Sequence, residues 1–283
     1  MNRDVAADDG SLIYYDGDYP SLDHDDGPNP PENPEILQHL ALQQGVAFDV
    51  PRYLEMARIA GGPVLEIGAG TGRITLPLAR REISVTAIEV AEGMSAQLQR
   101  KLQSETAEVN KRIDLVPGDI TTLRLPGRSF RLALMPFNVL NLLDRLDHQL
   151  AALKTAHTLL APAGHLVIDV PNPLMLPLGE QRVPSVSEPR QHPVTGSSYH
   201  KFSLAGAMDD QQRQRLYGWY DERLPGGLVK RVPYAFSWRL VFRFELEFML
   251  QSCGFAVDAV QGGHNAEPFQ SDSPRIVALA RKL

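Results

Sequence analysis

The sequence holds a single cysteine, Cys253, among its 283 residues. One thiol cannot close an internal disulfide or build a thiolate metal site. It lies in Leu250-Gln251-Ser252-Cys253-Gly254-Phe255, before a glycine suited to ending a helix, and reads as a small apolar residue at a helix end. No stretch of about 18 apolar residues occurs, which leaves no candidate for a membrane-spanning helix. The N-terminus is acidic and polar, without the basic start and apolar run of a secretory signal. A soluble, cytoplasmic protein with no membrane partner is the expectation. Positive charge is also scarce: 28 basic against 34 acidic residues give a net charge of −6. No broad basic surface for a nucleic-acid backbone follows, so a small molecule is the expected partner and nucleic acid is not. The histidines show no ligand spacing, such as two placed four apart on a helix, and no metal is expected. There is no internal repeat.

What is present is a 43% hydrophobic composition, enough for one large α/β domain with an insertion or for two small ones. The charge is uneven. Residues 1–35 carry one Arg against ten Asp and Glu, so the remainder is slightly positive. Asp23-His24-Asp25-Asp26-Gly27-Pro28 and Asn29-Pro30-Pro31-Glu32-Asn33-Pro34 predict irregular chain. Before them, Leu12-Ile13-Tyr14-Tyr15-Asp16-Gly17-Asp18-Tyr19 is apolar and aromatic enough to dock on a neighbouring surface. Residues 1–46 therefore read as an N-terminal arm, irregular over 1–35, that folds back as a lid, and residues 47–60 as a helix.

From Pro63 short apolar runs alternate with amphipathic stretches. Val64–Ile67, Ser84–Glu89, Ile113–Val116, Arg131–Met135 and His165–Val170 read as strands. Helices are predicted over Ile74–Arg81, Ala91–Ser104 and Gln149–Leu160. Strands separated by such helices imply βαβ units and a parallel sheet covered on both faces. Between Pro171 and Ser237 the rhythm breaks. Tyr199–Leu204 and Arg215–Tyr220 favour antiparallel strands, with a turn at Pro225-Gly226-Gly227. A helix over Arg243–Ser252 and strands over Phe255–Gln261 and Arg275–Ala280 close the chain. The expected organisation is a core over 47–170, a lid insertion over 171–236 and completion of the core sheet over 237–283.

The strongest local signal is Val64-Leu65-Glu66-Ile67-Gly68-Ala69-Gly70-Thr71-Gly72-Arg73. Alternating glycines let the backbone turn sharply after a strand and approach a ligand closely. A dinucleotide fingerprint would want glycine where Arg73 stands, and its pyrophosphate would need no Glu66 beside the turn. A ligand with an ammonium and a carboxylate suits this turn better.

Residues 63–170 resemble the class I S-adenosylmethionine-dependent methyltransferases. Their usual D/E-x-G-x-G-x-G corresponds to Glu66–Gly72, and Val85-Thr86-Ala87-Ile88-Glu89-Val90 looks like their second motif. Gly118-Asp119-Ile120 and Leu134-Met135-Pro136-Phe137-Asn138 look like the third site and the end of strand four. The resemblance implies a Rossmann-like fold, with a seven-stranded, mostly parallel sheet, an antiparallel last strand and a small antiparallel lid. It implies S-adenosylmethionine as cofactor, with Glu89 accepting from both ribose hydroxyls, Asp119 from the adenine amino group and Ile120 packing on the ring. Gly68, Ala69, Gly70, Arg73, Val90, Met94, Gly118, Pro136, Phe137 and Asn138 complete the implied cofactor site, with Tyr15 reaching in from the arm. The stretch Arg239–Phe255 and the closing Ser273-Pro274-Arg275 strand resemble small-molecule members, and Tyr15-Asp16 with Tyr19 resembles the arm of sugar and amino-acid N-methyltransferases.

Methyl transfer to a nitrogen or oxygen of a small molecule is the implied reaction, by in-line displacement with catalysis mainly through positioning. An amine needs little help; a hydroxyl needs a nearby base. Candidates on the acceptor side are Tyr14, Tyr15, Tyr19, Asn138, His148, His200, Tyr217 and Tyr220, with Tyr15, His148 and His200 as the catalytic candidates. Asp147 reads as a helix cap beside His148. Two other readings stay open: an enzyme using the same cofactor for a different reaction, and a non-catalytic binding module. The assembly, monomer or homodimer, is also open.

Overall fold

The computed structural model describes residues 9–19 and 49–283. The irregular stretch read at 23–34 lies outside the described residues. Among the described residues no helix is long and apolar enough to cross a membrane.

Strand β1 (Val64–Ile67) is buried at every position, as a strand covered on both faces must be. It pairs in parallel with β2 (Val85–Glu89) and β4 (Phe130–Met135). Strands β3 (Ile113–Pro117) and β5 (Leu160–Pro171) extend the sheet on either side. Beyond β5 come β12 (Arg275–Lys282) and then β11 (Phe255–Gln261), giving the order β11-β12-β5-β4-β1-β2-β3. β12 runs antiparallel to both neighbours, so the sheet has seven strands with an antiparallel last strand, as the sequence implied. The strand order reverses between β1 and β4, and the crevice at their C-terminal ends is where open α/β sheets bind ligands.

Alternation along β1 splits the core. Leu65 and Ile67 face the helices Leu146–Leu159 and Arg243–Ser252. Val64 faces the opposite layer, built from the helices Asp49–Ala60 and Thr75–Arg80. Each fully buried Leu or Ile contributes roughly 1.5–3 kcal/mol, so the two layers fix the sheet from both sides.

The segment after β5 forms a second, antiparallel sheet. Strands β6 (Ser185–Val186), β8 (Ser198–Ala205), β9 (Arg213–Arg223) and β10 (Val229–Arg239) follow the order β10-β9-β8-β6, and β7 (Arg190–Gln191) also pairs with β8. The turn at Pro225-Gly226-Gly227 joins β9 to β10 as expected. The strand β10 itself was not foreseen, because Pro233 interrupts it. Proline is tolerated there since β10 is the edge of its sheet and one N–H side needs no partner. β10 also carries the lid past residue 236, to Arg239.

Three local readings change. The arm residues Gly10–Ile13 and Tyr15–Asp18 form two single helical turns rather than irregular chain, the first capped by Asp9. The helix read from Gln149 starts at Leu146. Asp147 is not its cap: Arg145 holds that position, and Asp147 pairs with the Arg145 guanidinium at 2.8 Å.

Candidate active site

The turn after β1 carries left-handed backbone at Gly68, Gly70 and Gly72. A Cβ at Gly72 would overlap Leu98, so that glycine serves packing. Gly70 differs: its missing Cβ points into open space whose nearest atom is the Tyr15 hydroxyl, 3.9 Å away. The turn therefore leaves room for a ligand at Gly70 and brings an arm tyrosine across it.

That room is part of a cavity that is partly open to solvent. The turn contributes Glu66, Gly68, Ala69, Gly70 and Arg73 to its wall, and the helix Glu92–Leu102 contributes Met94. The end of β4 adds Pro136, Phe137 and Asn138. Tyr15 and Tyr19 come from the arm. A smaller adjoining cavity shares Gly68 and Val139 with the first and is lined by Val90, Gly118, Asp119 and Ile120. The Asp119 carboxylate also accepts from the Thr121 N–H and hydroxyl, both at 2.8 Å.

Glu89 lines neither cavity. Its two oxygens accept from the backbone N–H groups of Gly70 at 2.8 Å and Ala91 at 2.7 Å, beneath the turn. Burial raises the Glu89 pKa while the amides it accepts from pull it down. Glu66 is buried in mid-sheet and accepts from the Thr75 hydroxyl at 2.6 Å. Burial pushes Glu66 up to about 8, only partly offset by Thr75 and Arg73.

A charged network braces the wall. Arg73 makes a two-pronged bond to Asp49, at 2.7 and 2.6 Å. Phe137 and Asn138 both adopt left-handed backbone, φ 46° and 68°, which asparagine tolerates but which strains Phe137. Asp169 and Arg275 hold that turn. The Asp169 carboxylate accepts from the Phe137 N–H at 3.2 Å and from Arg275 Nε at 2.6 Å, and Arg275 donates to Asn138 Oδ1 at 2.8 Å. Burial disfavours the Asp169 charge, but Arg275 and His264 hold its pKa well below the usual carboxylate range. Asp49, Asp169 and His264 come within 4.8 Å of one another. Both carboxylates are already matched by guanidiniums, so the cluster is charge-balanced and offers a cation little.

The lid closes the other side with Lys201, Tyr220, Phe236 and Trp238. Strand alternation decides this. Lys201 pairs in register with Tyr220, and both face the cavity; His200 pairs with Asp221 on the opposite face. The structure thus places His200 away from the pocket, with its Nδ1 3.1 Å from the Ser187 carbonyl oxygen. Tyr217 shares that outer face. His148 is exposed on the first turn of its helix, outside both cavities. Of the acceptor-side candidates, Tyr15, Tyr19, Asn138 and Tyr220 line the cavity. Tyr14 is fully buried behind it, donating to Glu222 at 2.8 Å. Lys201, Phe236 and Trp238 were missed; the period-2 pattern of β8 and β10 would have grouped them had the pocket-facing parity been known.

The arm is tied to both sheets. Asp16 accepts from Thr71 at 2.5 Å and pairs with Lys101 at 2.8 Å, next to the glycine turn. Asp18 is buried against the lid and accepts from Arg190, Tyr199, Lys201 and Tyr220, at 2.6 to 2.9 Å.

A seven-stranded sheet of this order with a glycine turn after its first strand defines the S-adenosylmethionine-dependent methyltransferase fold. Residues 64–164 match the methyltransferase domain family. A Halobacterium salinarum protein named "Probable ribosomal RNA small subunit methyltransferase A" is 32% identical over 107 residues, 38% of this chain and 36% of that protein. The chain thus spans about a third of the length of such relatives. The CcbJ methyltransferase from Streptomyces caelestis superposes with a TM-score of 0.69 at 23% identity, covering 96% of this chain and 98% of that one. CalS10, an amino pentose methyltransferase from Micromonospora echinaspora, superposes with a TM-score of 0.67 at 18% identity, covering 91% of this chain and 100% of that one.

Proposed function

We propose that the chain transfers a methyl group from S-adenosylmethionine to the nitrogen of a small-molecule amine. The observation that carries the reading is that one cavity joins the glycine turn, the end of β4, the arm and the lid. The residues fit the cofactor: the open side of Gly70 gives space, Arg73 and the Tyr15 hydroxyl suit a carboxylate, and buried Glu66 suits an ammonium. Asp119 and Ile120, in the adjoining cavity, suit an adenine. The bound cofactor would supply an electrophilic methyl on its sulfonium.

The chain's own contribution is placement. Holding an acceptor in line with that methyl can be worth roughly 7–11 kcal/mol. The nitrogen preference follows from the basic groups. His148 and His200 lie outside the cavity, burial raises the Tyr15 pKa, and Glu66, in mid-sheet, already accepts from the Thr75 hydroxyl. None of these suits proton abstraction from a hydroxyl at neutral pH, whereas an amine brings its own lone pair. Tyr15 then acts as a wall and hydrogen-bonding group. Incubating the protein with methyl-labelled S-adenosylmethionine and matched panels of amines and alcohols tests this. Labelled amines are the expected product; label on alcohols alone would overturn the nitrogen assignment, and no label at all would overturn methyl transfer to these classes.

A further inference from the structure

We propose that the lid end of the cavity takes an acceptor with a carboxylate on a flat or aromatic body, and that Lys201 pairs with that carboxylate. The word acceptor rests on the methyl-transfer reading above; the recognition of a carboxylate rests on the cavity itself.

Lys201 stands on the cavity face of β8. Its ammonium donates to Asp18 Oδ2 at 2.7 Å and lies over three rings, 5.0 Å from Tyr234, 5.3 Å from Tyr220 and 5.5 Å from Tyr19. An ammonium has three donors, so the bond to Asp18 leaves capacity for a ligand. Burial alone would lower its pKa, but Tyr19 and Asp18 raise it well above the ordinary value, and the charge persists. The rings and the carboxylate fix the head in place before any ligand arrives, which lowers the ordering cost of binding.

The charge count gives the sign of the ligand. Asp18 faces two cations, Lys201 and Arg190, and among the described residues no second acidic side chain pairs with either. Elsewhere on the wall, Arg73 is matched by Asp49, and burial pushes the Glu66 pKa up to about 8, which reduces its negative charge. Among the described residues, the ion pairs at the lid end leave one surplus positive charge. A cofactor with a sulfonium, an ammonium and a carboxylate adds another. A cationic acceptor would meet uncompensated repulsion in a dry site, whereas a carboxylate would be paired. The same positive surroundings favour the neutral, nucleophilic form of an acceptor amine. The body of the ligand is set by the rings of Tyr19, Tyr220, Phe236 and Trp238 on the wall.

A carboxylate could come from the acceptor or from the cofactor's amino-acid end, and a binding experiment separates the two. Indole-3-acetate and indole-3-acetamide share a flat aromatic body and differ in charge; neither carries a basic amine. Calorimetry on protein saturated with S-adenosylhomocysteine should show the acetate binding at least about tenfold tighter than the amide. The gap should close in Lys201→Met and persist in Lys201→Arg, with the affinity for S-adenosylhomocysteine unchanged in both. In Lys201→Met, Asp18 keeps Arg190, Tyr199 and Tyr220, and the thermal midpoint checks that it folds. Equal affinity for the two probes in the wild type, no binding of either, or a gap that survives Lys201→Met would overturn the proposal. So would a loss of S-adenosylhomocysteine affinity in Lys201→Met without probe discrimination, which would assign Lys201 to the cofactor. Because no methyl is transferred, this outcome is independent of the labelled-methyl assay.

Discussion

Glu89 Oε2 accepts the N–H of Gly70 at 2.8 Å, so the acidic residue that ends β2 holds the glycine turn that follows β1. A carboxylate in this place fixes the turn's shape from below.

The first prediction follows from that bond. Glu89→Ala frees two backbone N–H groups and should weaken S-adenosylhomocysteine binding by about 1.5–3 kcal/mol, the range for hydrogen bonds to a charged group. Glu89→Gln keeps one acceptor oxygen and should fall between the two. Calorimetry on the three proteins measures it, and unchanged affinity in the alanine variant would remove Glu89 from the site.

The second concerns Glu66. Its folded pKa of about 8 lies above its ordinary 4.5, so the folded state keeps a proton that the unfolded chain loses. Stability is then full below about pH 4.5 and declines as the pH rises toward about 8. Urea denaturation across that range should show the decline in the wild type and a flatter profile in Glu66→Gln.

A third prediction tests the brace behind Phe137. Arg275→Ala leaves the buried Asp169 carboxylate without its guanidinium and releases Asn138. A loss of about 3–5 kcal/mol in unfolding free energy is expected, the usual result of removing one partner of a buried pair. Arg275→Lys keeps the charge and should lose less.

The fourth prediction concerns the arm. Hydrogen exchange over residues 12–19 should slow when S-adenosylhomocysteine is added, because the arm covers the cavity. Asp18→Ala removes the acceptor shared by four lid side chains and should weaken cofactor binding by roughly tenfold, about 1.4 kcal/mol. Equal protection with and without ligand would make the arm a fixed part of the wall.

The sequence was most informative where chemistry is local. The run Val64–Ile67 and the glycines after it needed nothing beyond their own spacing, and the helix Arg243–Ser252 was read with its true ends. The lid was harder. Lys201 and His200 are neighbours of similar polarity, and only the register against β9 tells which one faces the cavity. Asp18 looked like one more charge in an acidic arm, while its partners lie 172 to 202 residues away. Asp49 gave no sign of its pairing with Arg73, since nothing in a single helix start points to a residue 24 positions on.

The two faces of the lid sheet also set unequal rules for sequence change. Lys201, Ser203 and Tyr220 share the cavity side of their strands with Tyr234, while His200, Phe202, Tyr217 and Trp219 share the other. Substitutions on the outer set leave the ligand's surroundings untouched, provided the strands still pair. The same strands can therefore drift at every second position and stay constrained at the ones between. A new acceptor preference would arise by changing a few inward residues on an unchanged backbone, without insertion, deletion or any cost to the sheet below.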